Sequence, residues 1–230
     1  MKSLLGLLDA RIAVYTLLQK MTGNEPDEAL LQLFFSDGIL TILELFDSKE
    51  LPEYSASIGL RNACRSLYLE DRAAFLELSK TEYVRNFIGP DHLEAPPWES
   101  AIISNDRLLL QKSTLKVRQF YASEGFRADL YPHVADDHLA YELDFLRCMS
   151  ELCRDAYRSQ ETVEYKRLLN RQEAFLDSHL LTWVGAYANI LQNSKTKTLY
   201  PQLALLIKAF LKIDRELLSD LSARAAEAEF

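Results

Sequence analysis

The chain has 230 residues and carries 26 Lys plus Arg against 34 Asp plus Glu, a formal net charge of −8. A chain of this length buries most of the surface its unfolded form exposes, so it needs no disulfide framework or structural metal to fold. The excess of carboxylates disfavours a nucleic-acid partner and suits a cationic one, and seven Gly, seven Pro and a Leu-rich apolar set favour helices over strands.

A 3.6-residue apolar period predicts nine helices, over about 3–20, 27–35, 37–47, 53–69, 70–88, 106–124, 137–158, 162–193 and 199–221, and hence a single all-α, bundle-like domain over 1–230. The opening MKSLLGLLDAR has the Lys-then-apolar look of a secretion signal, but Asp9 and Arg11 interrupt it and no small-residue cleavage site follows. No run approaches the roughly 20 apolar residues of a membrane span. A soluble, cytoplasmic protein with no stable membrane insertion is expected. Breakers fall between the helices: Gly23-Asn24-Glu25-Pro26, Ser36-Asp37-Gly38, Gly89-Pro90, Pro96-Pro97, Gly125 and Pro132. The long irregular stretches are Gly89 to Asn105 and Arg127 to Ala135, and loops of that length tend to be functional. The second also separates the first six helices from the last three. Read as a hinge, Arg127 to Asp136 allows either a monomer or a domain-swapped dimer.

The seventh helix places Asp136 as its N-cap and Asp137 in its first turn. On a helical wheel Asp144, Arg147, Glu151, Arg154 and Asp155 share a polar arc, whereas Leu139, Leu143, Phe145, Leu146, Met149, Leu152 and Cys153 cover the rest, the pattern of a central helix. His138 and Glu142 sit one turn apart on the buried side. They read either as a pair satisfying each other or a nearby loop, or as the polar floor of a pocket. Farther on, Leu176, Leu180, Trp183, Val184, Tyr187, Ile190 and Leu191 form a buried stripe with His179 at its edge.

Chemistry is sparsely marked. Cys64, Cys148 and Cys153 have no CxxC spacing, and the last two point about 140° apart on one helix, so buried reduced thiols are the plain reading. His92, His133, His138 and His179 are not spaced as a metal set, and no GxGxxG, GxxxxGK[ST], HExxH or GxSxG occurs, so no cofactor or metal is expected. A small enzyme using an acid–base site of Asp137, His138 and Glu142 is the alternative to a binding protein, but nothing marks a nucleophile beside it. Between Arg127 and Arg147 no Lys or Arg occurs, while Asp129, Asp136, Asp137, Glu142 and Asp144 supply five negative charges. Some of these are N-cap chemistry or solvated charge; together they also make an acidic lip suited to an arginine-bearing peptide, with Tyr83, Phe87, Trp98, Tyr121 and Tyr131 as apolar surface beside it.

Several segments in order resemble the TorD/DmsD family of cytoplasmic molybdoenzyme-maturation chaperones. These are LLDARIAVYTLLQKM, EPDEALL, TEYVRNFIGP, APPWES, TLKVRQFY, DDHLAYELDFL and HLLTWVGAY, which cover nearly the whole chain. The resemblance implies an all-helical fold and a cytoplasmic, non-catalytic role. It also implies recognition of a molybdopterin oxidoreductase precursor of the dimethyl sulfoxide or trimethylamine N-oxide reductase type, through its twin-arginine signal peptide. Carried onto matching positions, the implied peptide-binding residues are Tyr83, Phe87, Pro97, Trp98, Asp137 and His138, with Glu142 added from the helical wheel. The chain departs from the family pattern at Asn86, where Leu is common, at Ala101-Ile102, where Val-Tyr is frequent, and at Leu146, where Met is usual.

Overall fold

Short polar residues precede several predicted helices, and in the structure they cap them. Ser3, Asp27, Ser36 and Asp71 each accept a hydrogen bond from a first-turn backbone N–H, at 3.1, 2.7, 3.2 and 3.0 Å. Each satisfies a donor that the helix cannot. The structure is a computed structural model that describes residues 3–47, 51–89, 93–104, 111–128 and 134–227. Pro90, His92, Asp129, Tyr131, Pro132 and His133 lie outside these, as does half of the Arg127–Asp136 segment.

In chain order the helices are α1 (Leu4–Gly23), α2 (Glu28–Phe34), α3 (Asp37–Glu44), α4 (Pro52–Glu70), α5 (Arg72–Tyr83), α6 (Glu99–Ile103), α7 (Lys112–Ser123), α8 (Leu139–Arg158), α9 (Thr162–Ser178), α10 (Leu180–Asn193) and α11 (Leu199–Glu227). A π-helical turn, Val84–Ile88, prolongs α5 and stops at Gly89, whose φ of 48° suits glycine. The protein is all-helical, with eleven α-helices among the described residues rather than nine. The helix expected over 162–193 is two, because His179 leaves helical geometry (φ −127°, ψ −94°) between α9 and α10. The other addition, α6, lies inside the stretch expected to be irregular.

α1 and α8 run antiparallel along much of their lengths. A Cβ on Gly23 would lie 3.1 Å from that of Ala140, so the end of α1 approaches the start of α8 as only glycine permits without a shift. α9 covers α8, and α11 packs against α4, α5, α9 and α10. The centre is therefore shared between α8 and α11. On α8 the polar arc is as expected, with Arg147 pairing Asp144 at 2.7 Å and Glu151 at 2.8 Å; Leu152, placed with the apolar residues, is 45 % exposed. Phe120 and Tyr121 dock α7 onto the rings of Phe145 and Phe175.

Across the core, Arg11 of α1 holds Asp214 of α11 through Nε at 2.6 Å and Nη2 at 2.9 Å, and both side chains are fully buried. Tyr15 donates to the same carboxylate at 2.6 Å, and Gln172 of α9 links Arg11 to Ser150 of α8. Burial alone would lower the Arg11 pKa, but the Asp214 charge and hydrogen bond carry it well above its usual value. One ion pair thus ties four helices.

Candidate functional site

The two prolines before Trp98 restrict the backbone there to extended conformations. The segment lies antiparallel against the residues leading into α8. The Leu139 N–H donates to Pro97 O at 2.9 Å and the Glu99 N–H to Asp137 O at 3.0 Å, making a one-pair β-bridge of Trp98 with His138. The indole and imidazole meet edge to face at 5.0 Å, and both are half-buried. Phe87 lies 6.3 Å from the His138 ring and stacks on Tyr83 at 5.0 Å, with Tyr200 of α11 against both. Tyr83, Phe87, Pro97, Trp98 and His138, drawn from three separate stretches of chain, form one apolar ledge, in which Trp98 and His138 are part-exposed while Tyr83, Phe87 and Pro97, expected to offer apolar surface, are buried.

The carboxylates lie behind this ledge, not on it. Asp136, expected to cap α8, accepts instead from Arg118 Nε at 3.0 Å and Nη2 at 2.7 Å, while its carbonyl takes the Tyr121 hydroxyl. The guanidinium of α7 outcompetes a backbone amide for that carboxylate. The cap of α8 is His138, whose Nδ1 accepts the Ala140 N–H at 3.1 Å. Its ring is therefore neutral, and burial pushes its pKa down to about 4. Asp137 is fully buried outside the helix and caps α6, taking the Ser100 N–H on Oδ2 at 2.7 Å.

Glu142 is fully buried and accepts the Trp183 indole N–H at 3.3 Å. Burial first, then the charges of Glu99 and Asp137, hold its pKa well above the usual carboxylate range, which favours its protonated form. Glu99 in turn meets His179 Nδ1 at 2.9 Å. His179 is thus 3 % exposed, not the edge residue expected, and the pull of Glu99 accompanies the break between α9 and α10. His138 and Glu142 turn to different partners and do not pair with each other.

Glu99, His179, Trp183 and Tyr200 were not picked out as site residues. Glu99 stands in APPWES, and His179 and Trp183 in HLLTWVGAY, so the family-like segments contained the signal. Asn86 and Glu82 also have defined work. Asn86 accepts the Thr196 hydroxyl at 3.2 Å. The Glu82 carboxylate accepts four successive backbone N–H groups, from Lys197 to Tyr200, at 2.8–3.3 Å. It caps α11 from another helix. Among the described residues no cluster of His, Cys, Asp and Glu is placed to hold a metal ion, and no helix is long and apolar enough to cross a membrane. Cys64 and Cys153 are buried and Cys148 half-buried, and burial pushes all three thiols up to about 11.

An all-helical fold with an aromatic ledge backed by carboxylates is the setting in which the likeness to known proteins stands. Residues 53–189 match the family model described as nitrate reductase delta subunit. A protein of Vibrio cholerae serotype O1 named Chaperone protein TorD is 28 % identical over 223 residues, 96 % of this chain and 97 % of that one. Proteins of the same name from Psychrobacter sp. and Vibrio parahaemolyticus are each 30 % identical over 75 % of this chain, covering 75 % and 83 % of their own. The chain belongs to this TorD family, and these relatives are named as chaperones.

Proposed function

We propose that the protein is a cytoplasmic chaperone for the precursor of a molybdopterin oxidoreductase of the dimethyl sulfoxide or trimethylamine N-oxide reductase type, and that it grips the precursor's twin-arginine signal peptide before export. Family membership supports the chaperone role. One observation supports the peptide: directly behind the ledge, Asp137 Oδ1, Glu142 Oε1 and Trp98 Nε1 are buried without a partner of their own in the hydrogen-bond geometry. The raised pKa of Glu142 favours a proton on its carboxyl, which leaves the Asp137 oxygen and the indole N–H as open positions. A guanidinium reaching Asp137 past a displaced Trp98 satisfies that oxygen, and the same displacement uncovers the buried Tyr83, Phe87 and Pro97 for the apolar part of the leader.

The test is calorimetric titration of a twin-arginine leader peptide. Asn at position 137 still accepts the Ser100 N–H, so Asp137→Asn removes charge without uncapping α6. It should weaken binding roughly ten- to a hundredfold, the cost of about 1.5–3 kcal/mol for a lost charge-assisted contact, and reduce its salt dependence. Trp98→Ala should weaken binding through lost apolar contact while leaving the salt dependence in place. Unchanged affinity in both folded variants places the peptide elsewhere.

A further inference from the structure

At the far end of α8, its 20 residues or about 30 Å from His138, a groove of about 1040 Å³ opens between the N-termini of α1 and α9 and the C-termini of α8 and α11. Its volume is at the upper limit of small-molecule pockets, about 300–1,000 Å³. Leu4, Leu5 and Leu7, the apolar opening that looked like a secretion signal, form one wall, and Tyr165, Leu217 and Leu221 form much of the rest. The three N-terminal leucines are only half-buried.

Two features show what the trough suits. The first is charge. Every other arginine of α8, α9 and α11 holds a carboxylate: Arg147, Arg154, Arg167, Arg171 and Arg215. Arg158 and Arg224, which line the groove, have no carboxylate partner among the described residues, and Asp220 is the one acid beside them in the lining. Among the described residues, then, two guanidinium groups without a carboxylate partner stand over an apolar trough. The second is Tyr165, 6 % exposed, which walls the groove and whose buried hydroxyl has no hydrogen-bond partner. A buried hydroxyl left so costs free energy that a ligand can recover.

We propose that this groove is a second docking site, taking an amphipathic, acidic segment of a partner chain. Apolar side chains of the segment fill the leucine and tyrosine trough, its carboxylates pair with Arg158 and Arg224, and a polar group at its centre reaches the Tyr165 hydroxyl. The site is separate from the Trp98–His138 ledge and opposite in charge preference, so a partner could engage both at once.

The probe is a fluorescein-labelled, 14-residue helical peptide with Leu at i, i+3, i+4 and i+7 and Glu along the flanks, followed by fluorescence anisotropy. The unaltered protein should bind it, and Arg158→Glu combined with Arg224→Glu should weaken binding at least tenfold. Both positions are exposed, so the variant should fold, which circular dichroism checks. Replacing the peptide's Glu by Lys should weaken binding comparably, whereas Asp137→Asn should leave it unchanged. That last arm separates this site from the leader-peptide site, and either can fail alone. Equal binding by the parent and the double variant overturns the proposal. So does saturable binding of dodecanoate with no response to the peptide, which would make the groove a fatty-acid pocket. A dimer that the double variant dissociates, again without peptide binding, would make it a self-interface and overturn it too.

Discussion

Glu142 is a carboxyl whose burial favours the protonated form, and its effect on stability has a definite sign. Its folded pKa lies well above the ordinary 4.5, so the native state holds a proton that the unfolded chain gives up as pH rises. Stability from this group is complete below about 4.5 and is lost as pH climbs toward the folded value. Glu142→Gln keeps the shape, offers an N–H to Glu99 and an oxygen to Trp183, and cannot ionise. The variant should match the parent near pH 4.5 and exceed it increasingly toward pH 8 in thermal melts. A difference independent of pH would mean that Glu142 is ionised in the native state. Arg11 is the opposite case, a charge that the fold keeps, because Asp214 carries its pKa well above the usual value against the effect of burial. Removing one member of a buried pair typically costs about 3–5 kcal/mol, so Arg11→Ala should lower the unfolding free energy by that much in urea. Arg11→Met combined with Asp214→Leu should recover a large part of it.

At the scale of helices, capping explains both what the sequence made legible and what it hid. Ser3, Asp27 and Ser36 cap the helices that follow them because their oxygens reach amides three residues on, an interaction encoded locally. α11 is capped by Glu82, more than a hundred residues earlier, and α6 by Asp137, 37 residues later. No local pattern announces either. Glu82→Gln should therefore speed amide exchange at Lys197 to Tyr200 while leaving α5 itself protected, with a stability loss of about 1.5–3 kcal/mol. Exchange that stays slow at these four amides would mean the loop is held instead by Asn86 at Thr196 and by Glu94, which accepts the Lys195 N–H at 2.9 Å. The split at His179 was hidden for the same reason. AFLDSHLLTW contains neither Gly nor Pro, so its period continues straight through, and only Glu99 at 2.9 Å marks the place.

For the whole molecule, period and composition sufficed for the all-helical class, because a buried stripe every 3.6 residues survives any choice of tertiary partners. The candidate site was half legible. Its aromatic members lie in quotable segments, but the inward turn of Asp137 and Glu142 was not, since a carboxylate count cannot distinguish a lip from an interior. The same limit applies to the groove between the helix ends, which is assembled from the opening residues and the last helix. Arg11 and Asp214 are 203 positions apart, and that distance has a consequence for synthesis. At roughly 5–20 residues per second, Arg11 leaves the ribosome on the order of ten to forty seconds before its partner exists. Until then the first helix carries an unpaired cation on the face that becomes its core side. The nascent chain therefore cannot complete the network around Arg11 until α11 has emerged.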